Sequence, residues 1–403
     1  MKQAIKKGTG IQKKGGLSAY KKKIGLEVTS DNIVVSNADK PMEWLMMPKA
    51  FNEATRLPGF PIGYVSMIGG FSDTGKTTII NHVLVAAQRQ GYIPVIYDTE
   101  NNMDWKYLMD MGFEAEPVYG DVDVENYDPE NGEVTITKEN QIIGYDGNFI
   151  YYNNTLLANQ FGNNDYSTGK QTKEKRKVAV IEDIAASMKE LLDAQDNGEL
   201  EQGLVFVWDS IGSINSYKSY KSPTNNNMFD AGSVSVAFTS ILNSRIPSSR
   251  KVSAPYTNTM VAISKIWLDS MSAPMAAPMV KYKNGETFYY ACHGIICHVG
   301  GAISKGTKQL KAVSKGCTYK YGIESKIKVV KNQLPNPWTI SYEGPIICTA
   351  HGLISKDELP AYQKEHVSEM LKELNRQGEA QGQKISSEDV SFIEEEDEGN
   401  QEA

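Results

Sequence analysis

Gly70-Phe71-Ser72-Asp73-Thr74-Gly75-Lys76-Thr77 is a complete G-x-x-x-x-G-K-[ST] pattern, and its flanks decide how it is read. Before it, Tyr64-Val65-Ser66-Met67-Ile68 is an apolar run of the kind that forms a buried strand. After it, Ile79, Ile80, Val83, Leu84 and Ala87 recur at helical spacing as far as Gly91, and Pro94-Val95-Ile96-Tyr97 predicts a second buried strand. Strand, glycine loop, helix, strand is the opening of a parallel α/β sheet. In such a loop the glycines let backbone N–H groups approach phosphate oxygens, and the helix start adds the positive end of its dipole. Gly70, Ser72, Asp73, Thr74, Gly75 and Thr78 are the expected cradle, Lys76 reaches the β and γ phosphates, and Thr77 offers a hydroxyl to Mg2+.

A nucleotide site of this type needs a second carboxylate for the magnesium shell, at the end of a neighbouring buried strand. Leu204-Val205-Phe206-Val207-Trp208 followed by Asp209 supplies it. Hydrolysis also needs a group to orient or deprotonate the attacking water. Glu100, in Tyr97-Asp98-Thr99-Glu100, falls on the same C-terminal edge, where ligands of open α/β sheets gather. Asp98 competes for the role, and position alone does not choose between them.

Four segments in order, GFPIGYVSMIGGFSDTGKTT, YDTENNMDWKY, LVFVWDSIGSI and KIKVVKNQLPNPW, resemble RecA-type recombinases, nearest in style to the UvsX recombinases of T-even-like phages. The resemblance covers roughly residues 45–115 and 200–345. It implies a RecA-like P-loop NTPase core with a mostly parallel sheet flanked by helices. It also implies a DNA-dependent ATPase that uses ATP and Mg2+, polymerises as a helical filament on single-stranded DNA, and exchanges strands with homologous duplex. By position, Glu100 becomes the general base and Asp209 the Walker B acid, while Asp104 and Tyr107 take the adenine base. Lys331 matches a lysine that reaches the γ-phosphate of an adjacent subunit; a second such position is Gln333 here. Lys265 stands where such chains carry a glutamine or histidine that senses the γ-phosphate, which puts the coupling mechanism in doubt. DNA contacts are expected from two loops, one with Tyr217, Lys218, Tyr220 and Lys221, the other with Trp267, Lys281, Tyr282 and Lys283. Lysines interleaved with aromatic rings suit a single-strand groove. A hexameric RecA-fold helicase and a nucleotide-gated recombination mediator with little turnover are the competing readings. The lead-in is short for a helicase's extra domain, and the Glu100–Asp209 pair argues against a degenerate site.

Composition sets the outer limits. The chain has 403 residues, 40% hydrophobic and 23% charged, close to globular averages, which excludes wholesale disorder and fibrous repeats. No run approaches the roughly 18–20 apolar residues of a membrane span, and the basic start lacks a following apolar segment. Four cysteines, all in the last third, suit a reducing compartment, so a cytoplasmic protein (host cytoplasm if phage-encoded) with no membrane contact is expected. The net charge of −7 hides an asymmetry: residues 1–23 hold eight lysines and no acid, residues 388–403 eight acids and no base. Like charges repel, so both ends read as mobile tails, the acidic one a docking site for single-strand-binding and loader proteins. Residues 24–60 form a lead-in, 61–350 the core, and 351–387 a C-terminal helical segment. Asn, Asp, Gly and Tyr dominate from Gly112 to Lys177, with alternating runs that predict an inserted β-hairpin module over about 115–177. Residues 288–299 read as a strand, on which Cys292, His293, Cys297 and His298 would alternate faces, so a four-ligand zinc site is not expected.

Overall fold

The apolar runs on either side of the glycine loop lie in the middle of one large sheet. The computed structural model describes residues 39–127, 134–222, 226–269, 279–282, 286–301, 306–335, 338, 340–379 and 384–396. The first half of the chain runs β1 (Trp44–Met46), α1 (Lys49–Thr55), β2 (Gly59–Pro61), β3 (Val65–Gly70), α2 (Lys76–Arg89), β4 (Ile93–Asp98) and α3 (Trp105–Asp110). Next come β5 (Glu116–Tyr127), β6 (Val134–Asp146), β7 (Ile150–Asn153), α4 (Asn154–Phe161), the short pair β8 (Asn164–Asp165) and β9 (Lys170–Gln171), and α5 (Ile181–Asp196). Then follow β10 (Leu204–Ile211), α6 (Tyr217–Lys221), α7 (Asn226–Ser240), α8 (Ile246–Ser248), β11 (Thr259–Asp269), β12 (Met279–Tyr282), α9 (Glu286–Ala291) and β13 (Ile295–Val299). The last are β14 (Lys308–Ser314), β15 (Cys317–Asn332), β16 (Glu343–Thr349), β17 (Gly352–Ile354), α10 (Leu359–Glu379) and β18 (Ser391–Glu396).

Six adjacent strands, β13-β3-β11-β10-β4-β7, run parallel. An antiparallel wing of β15, β16 and β17 continues beyond β13, and β14 and β18 extend from β15. The parallel strands other than the half-buried β7 at the edge are buried on both faces because successive side chains alternate between two cores. On β10, Val205 and Val207 pack with the α2 side, whereas Leu204, Phe206 and Trp208 pack with the α5 and α7 side. The lead-in is integral to the first core, with Phe51 against Phe60 at 5.3 Å between centroids.

Three expectations change. A hairpin does form, but it is β5–β6 alone, exposed along most of both strands. The rest of the expected module belongs to the main sheet: β7 pairs with β4, and Tyr152 stacks on Tyr97 at 5.5 Å. Arg176, at the end of this stretch, makes a bidentate pair with buried Asp183 of α5 at 2.7 and 3.0 Å. Removing one partner of such a pair costs about 3–5 kcal/mol by leaving a charge uncompensated. Residues 286–291 are helical, not a strand, because Phe288, Ala291 and Cys292 follow an i, i+3, i+4 spacing that turns all three into the second core. The acidic tail is not free from residue 388 onward: Ser391–Glu396 pairs with β14, where Glu394 faces Lys308 at 3.5 Å and Glu395 bonds Lys311. Attraction to basic β14 outweighs the self-repulsion that had suggested a loose end. The basic arm, residues 1–23, lies outside the described residues, as do 397–403.

Candidate functional site

Strands β3, β10 and β4 end side by side where β11 leaves the parallel sheet, and each of the four delivers one of the expected residues at this edge. Gly70 is in register with Lys265, and Asp209 with Asp98. The glycines of the loop are required by space. A Cβ on Gly70 would lie 2.4 Å from the Val299 carbonyl oxygen. Gly75 has φ +98° as the N-cap of α2, and a Cβ there would lie 2.3 Å from Cys348 Sγ. The first turn of α2 has neither a side-chain cap nor an acidic residue, so its leading N–H groups are offered to an anion.

Within the loop Ser72, Asp73 and Thr77 are exposed, while Thr74 is buried with its hydroxyl donating to Phe71 O at 2.9 Å. Lys76 is buried and donates from Nζ to the same carbonyl. Burial lowers its pKa to about 8, against the opposing pull of Asp209 and Glu100. Thr77 Oγ1 donates to Asp209 Oδ2 at 3.5 Å. Burial, and then the charges of Glu100 and Asp98, push Asp209 up to about 7, although Lys76 and Lys265 oppose the rise. A hydroxyl and a buried, electron-rich carboxylate are hard oxygen donors, so these two residues fit Mg2+.

The choice between Glu100 and Asp98 is visible in their partners. Buried Asp98 accepts from the backbone N–H groups of Asn102 at 3.2 Å and Met103 at 3.0 Å and from the Tyr151 hydroxyl at 3.0 Å. Its oxygens are committed to holding the loop after β4. Glu100 instead faces the site, accepting from the Ser210 hydroxyl and pairing with Lys265 Nζ at 2.9 Å. Burial raises its pKa, but the Ser210 and Lys265 bonds and the nearby Lys76 together bring it below the ordinary glutamate value. Thr99 locks this edge: its N–H donates to Asp209 O at 2.9 Å, and its hydroxyl accepts from Trp208 Nε1 at 3.0 Å. Ser210 and Thr99 were not singled out from the sequence, because the contacts that give them a part, Ser210 with Glu100 and Thr99 with Trp208, join positions over 100 residues apart in the chain.

Asp104 caps α3 by accepting the Tyr107 N–H at 2.9 Å. Tyr107 reaches from α3 to the helix after the glycine loop, its hydroxyl donating to Thr349 O at 2.9 Å and accepting from Thr78 Oγ1 at 3.1 Å. Both stand on the α2 side of the loop, with Asp104 exposed and Tyr107 half-buried. Lys331 is not brought to this site. It pairs with Ile296, which is level with Met67, so along the sheet it lies three residues below Gly70, about 10 Å at ~3.3 Å per residue. Its ammonium bonds Tyr289 O and sits 4.8 Å over the Tyr289 ring.

Of the residues expected to contact DNA, Lys218, Tyr220 and Lys221 are exposed on α6. Tyr217 is not available: it is 5% exposed, packed on Tyr166 and lying under the Arg176 guanidinium at 5.4 Å. The Ser216 cap starts α6 so that Tyr217 turns inward. Beyond Lys265, β11 continues as an antiparallel ribbon with β12, in which Trp267 faces Lys281 and both are exposed. Tyr282 is half-buried against Tyr289 and His298, over Gly69, whose hypothetical Cβ would lie 2.6 Å from its ring. It is a packing residue at the base of the ribbon, not a free stacking ring. Lys283 lies outside the described residues.

No protein-family model matches the chain. Parts of it are similar to RecA proteins. Identity is 37% over 70 residues with Protein RecA of Aquifex aeolicus (strain VF5), covering 17% of this chain and 20% of that protein. It is 30% over 106 residues with Protein RecA of Mesomycoplasma hyopneumoniae (strain 7448), covering 26% and 30%. With Protein RecA of Corynebacterium jeikeium (strain K411) it is 37% over 67 residues, covering 17% and 18%. The matched segments span between about a fifth and three tenths of these relatives' length. Among the described residues, no helix is long and apolar enough to cross a membrane.

Proposed function

We propose that this protein is a RecA-type, DNA-dependent ATPase that assembles as a helical filament on single-stranded DNA and exchanges strands with homologous duplex in the cytoplasm, in the manner of UvsX-like phage recombinases. The observation that supports it most is the Glu100–Lys265 pair. It joins the side chain best placed to act on water to the strand that continues into the β11–β12 ribbon. In this reading the Gly70–Thr78 loop holds the phosphates of ATP, with Lys76 on the β and γ oxygens, and Asp104 and Tyr107 border the adenine. Thr77 and Asp209 hold Mg2+, which when bound neutralises charge on the phosphate oxygens. Ser210 aims Glu100 at the attacking water, and Glu100 takes its proton. A γ-phosphate draws Lys265 away from Glu100, and the ribbon carrying Trp267 and Lys281 follows the base of its own strand. Lys218, Tyr220 and Lys221 supply the second DNA contact.

Electron microscopy of the protein with single-stranded DNA and a non-hydrolysable ATP analogue is the direct test. Open helical filaments are expected. Closed six-membered rings would favour a RecA-fold motor, and assembly with hydrolysis near background would favour a mediator.

The docked acidic strand gives a further expectation. Glu394 and Glu395 occupy Lys308 and Lys311, which phosphates would otherwise meet. Neutralising both glutamates (Glu394→Gln, Glu395→Gln) should tighten single-strand binding, most at low salt, where the Debye length exceeds its ~10 Å at 0.1 M. The slope of log affinity against log salt should steepen by up to roughly 1.4, at ~0.7 for each of the two phosphates that the freed lysines neutralise. Equal affinities for variant and parent at every salt would leave these glutamates as a structural device or a partner's docking site.

A further inference from the structure

We propose that His351, His366 and Glu369 form a binding site for a divalent cation of the Zn2+ class, pinning α10 to the turn between β16 and β17. His366 and Glu369 stand one turn apart on α10, and His351 comes to them from the turn. His351 Nε2 lies 3.5 Å from Glu369 Oε2, and His366 Nδ1 lies 3.4 Å from Glu369 Oε1. All three ligand atoms fall within 4.8 Å of one another. A tetrahedral zinc with bonds of about 2.0–2.2 Å holds its ligands roughly 3.4 Å apart, and each imidazole already stands at about that distance from one oxygen of the Glu369 carboxylate, His351 from Oε2 and His366 from Oε1. The two imidazoles stack at 3.9 Å between centroids, so a shared metal would require their rings to turn out of this stack. Among the described residues this is the one group of three His, Cys, Asp or Glu side chains whose donors converge in this way.

The surroundings argue for a cation over a plain surface ion pair. A metal shared by the two imidazoles and the carboxylate would hold the three side chains together more tightly than an exposed ion pair does. His351 Nδ1 is 2.9 Å from the hydroxyl of buried Tyr362. With Nδ1–H donating there, Nε2 is left unprotonated toward Glu369, the arrangement by which outer partners orient metal-bound histidines. Two imidazoles and a carboxylate select a borderline metal over Mg2+, which makes the site chemically distinct from Thr77 and Asp209. Three protein donors leave a fourth position for water or for a group from outside.

The turn that His351 belongs to also holds the nucleotide side of the molecule. Thr349 O accepts from Tyr107, and the Leu353 N–H donates to His82 Nε2 of α2 at 2.9 Å. Metal binding would therefore fasten the C-terminal helix to the backbone that supports Tyr107 and α2. This inference stands independently of the recombinase reading.

Titration calorimetry of the full chain with zinc chloride, in excess Mg2+, tests it. One equivalent should bind. His366→Ala and Glu369→Gln should each weaken binding by ~10-fold or more, and Tyr362→Phe, which touches no metal, by ~10-fold through loss of orientation. Zinc should raise the melting temperature of the parent and not of Glu369→Gln, a variant whose exposed position protects it from misfolding. Cys292→Ser with Cys297→Ser should bind as the parent does. Co2+ in place of zinc should give visible bands of a nitrogen and oxygen site without a thiolate charge-transfer band. Absence of saturable binding, unchanged affinity in Glu369→Gln and Tyr362→Phe, or loss of binding in the cysteine variant would each overturn the proposal.

Discussion

Glu100→Gln should bind ATP as tightly as the parent and hydrolyse it about 100-fold more slowly or worse. The amide keeps the shape of the side chain and its bond to Ser210 but cannot accept the proton of water, so the loss falls on turnover and not on nucleotide affinity. Asp98→Asn should behave in the opposite way. Its oxygens hold two backbone N–H groups and the Tyr151 hydroxyl, and weakening charge-assisted bonds of this kind costs about 1.5–3 kcal/mol of stability each at most. Its melting temperature should drop while turnover per folded molecule stays within a few-fold. Nucleotide binding, single-turnover hydrolysis and thermal unfolding on both variants, with Lys76→Ala as the non-binding reference, separate the two carboxylates. Parent-like turnover in Glu100→Gln would assign the proton transfer elsewhere.

Lys331→Ala should bind ATP normally as an isolated protomer and lose most of its DNA-stimulated hydrolysis. The ammonium is remote from its own glycine loop along the sheet, so in the proposed filament the phosphate it would neutralise is a neighbouring copy's. Charge stabilisation supplied from an adjacent chain appears only after assembly and can be worth orders of magnitude in rate. Mixing gives the decisive measurement. In filaments of equal parts Lys331→Ala and Lys76→Ala, both inactive alone, about a quarter of random interfaces join an intact Lys76 to an intact Lys331. Partial recovery of hydrolysis is expected, and none at any ratio would remove the role across the interface. Substitution should also free Tyr289, whose carbonyl and ring now hold Lys331, so thermal unfolding must accompany the assay.

The parallel core was legible in the sequence because its strands are unbroken apolar runs that end in the chemistry: Ile68 before the glycine loop, Tyr97 before Glu100, Trp208 before Asp209. Local pattern sufficed there since each signal sits within a few residues. It failed where the deciding partner is distant. Asp98 and Glu100 are two residues apart with the same functional group, and partners from other strands, Tyr151 for Asp98 and Ser210 and Lys265 for Glu100, help to distinguish them. Tyr217 looked like a stacking ring until Arg176 and Tyr166 closed over it. Phe288 to Cys292 is a short apolar run that satisfies both a strand and a helix, and packing of α9 against the second core decided for the helix. Charge counting alone left the last acids unattached, because their partners, Lys308 and Lys311, lie more than 80 residues upstream.

The pairing of β18 with β14 has a consequence for solubility. An outermost strand presents an open row of backbone donors and acceptors, a template on which a second chain can add itself. Here the position is filled by Ser-Phe-Ile-Glu-Glu-Glu, and three successive glutamates at the rim repel an identical rim on another molecule. A chain cut at residue 390 would expose Lys308–Ser314, with Leu310, Ala312 and Val313 on an unguarded border. Such a truncation should aggregate through sheet extension, and what looks like tighter DNA binding in it would be co-precipitation. Cutting after Glu396 keeps the guard strand while removing the acids beyond it.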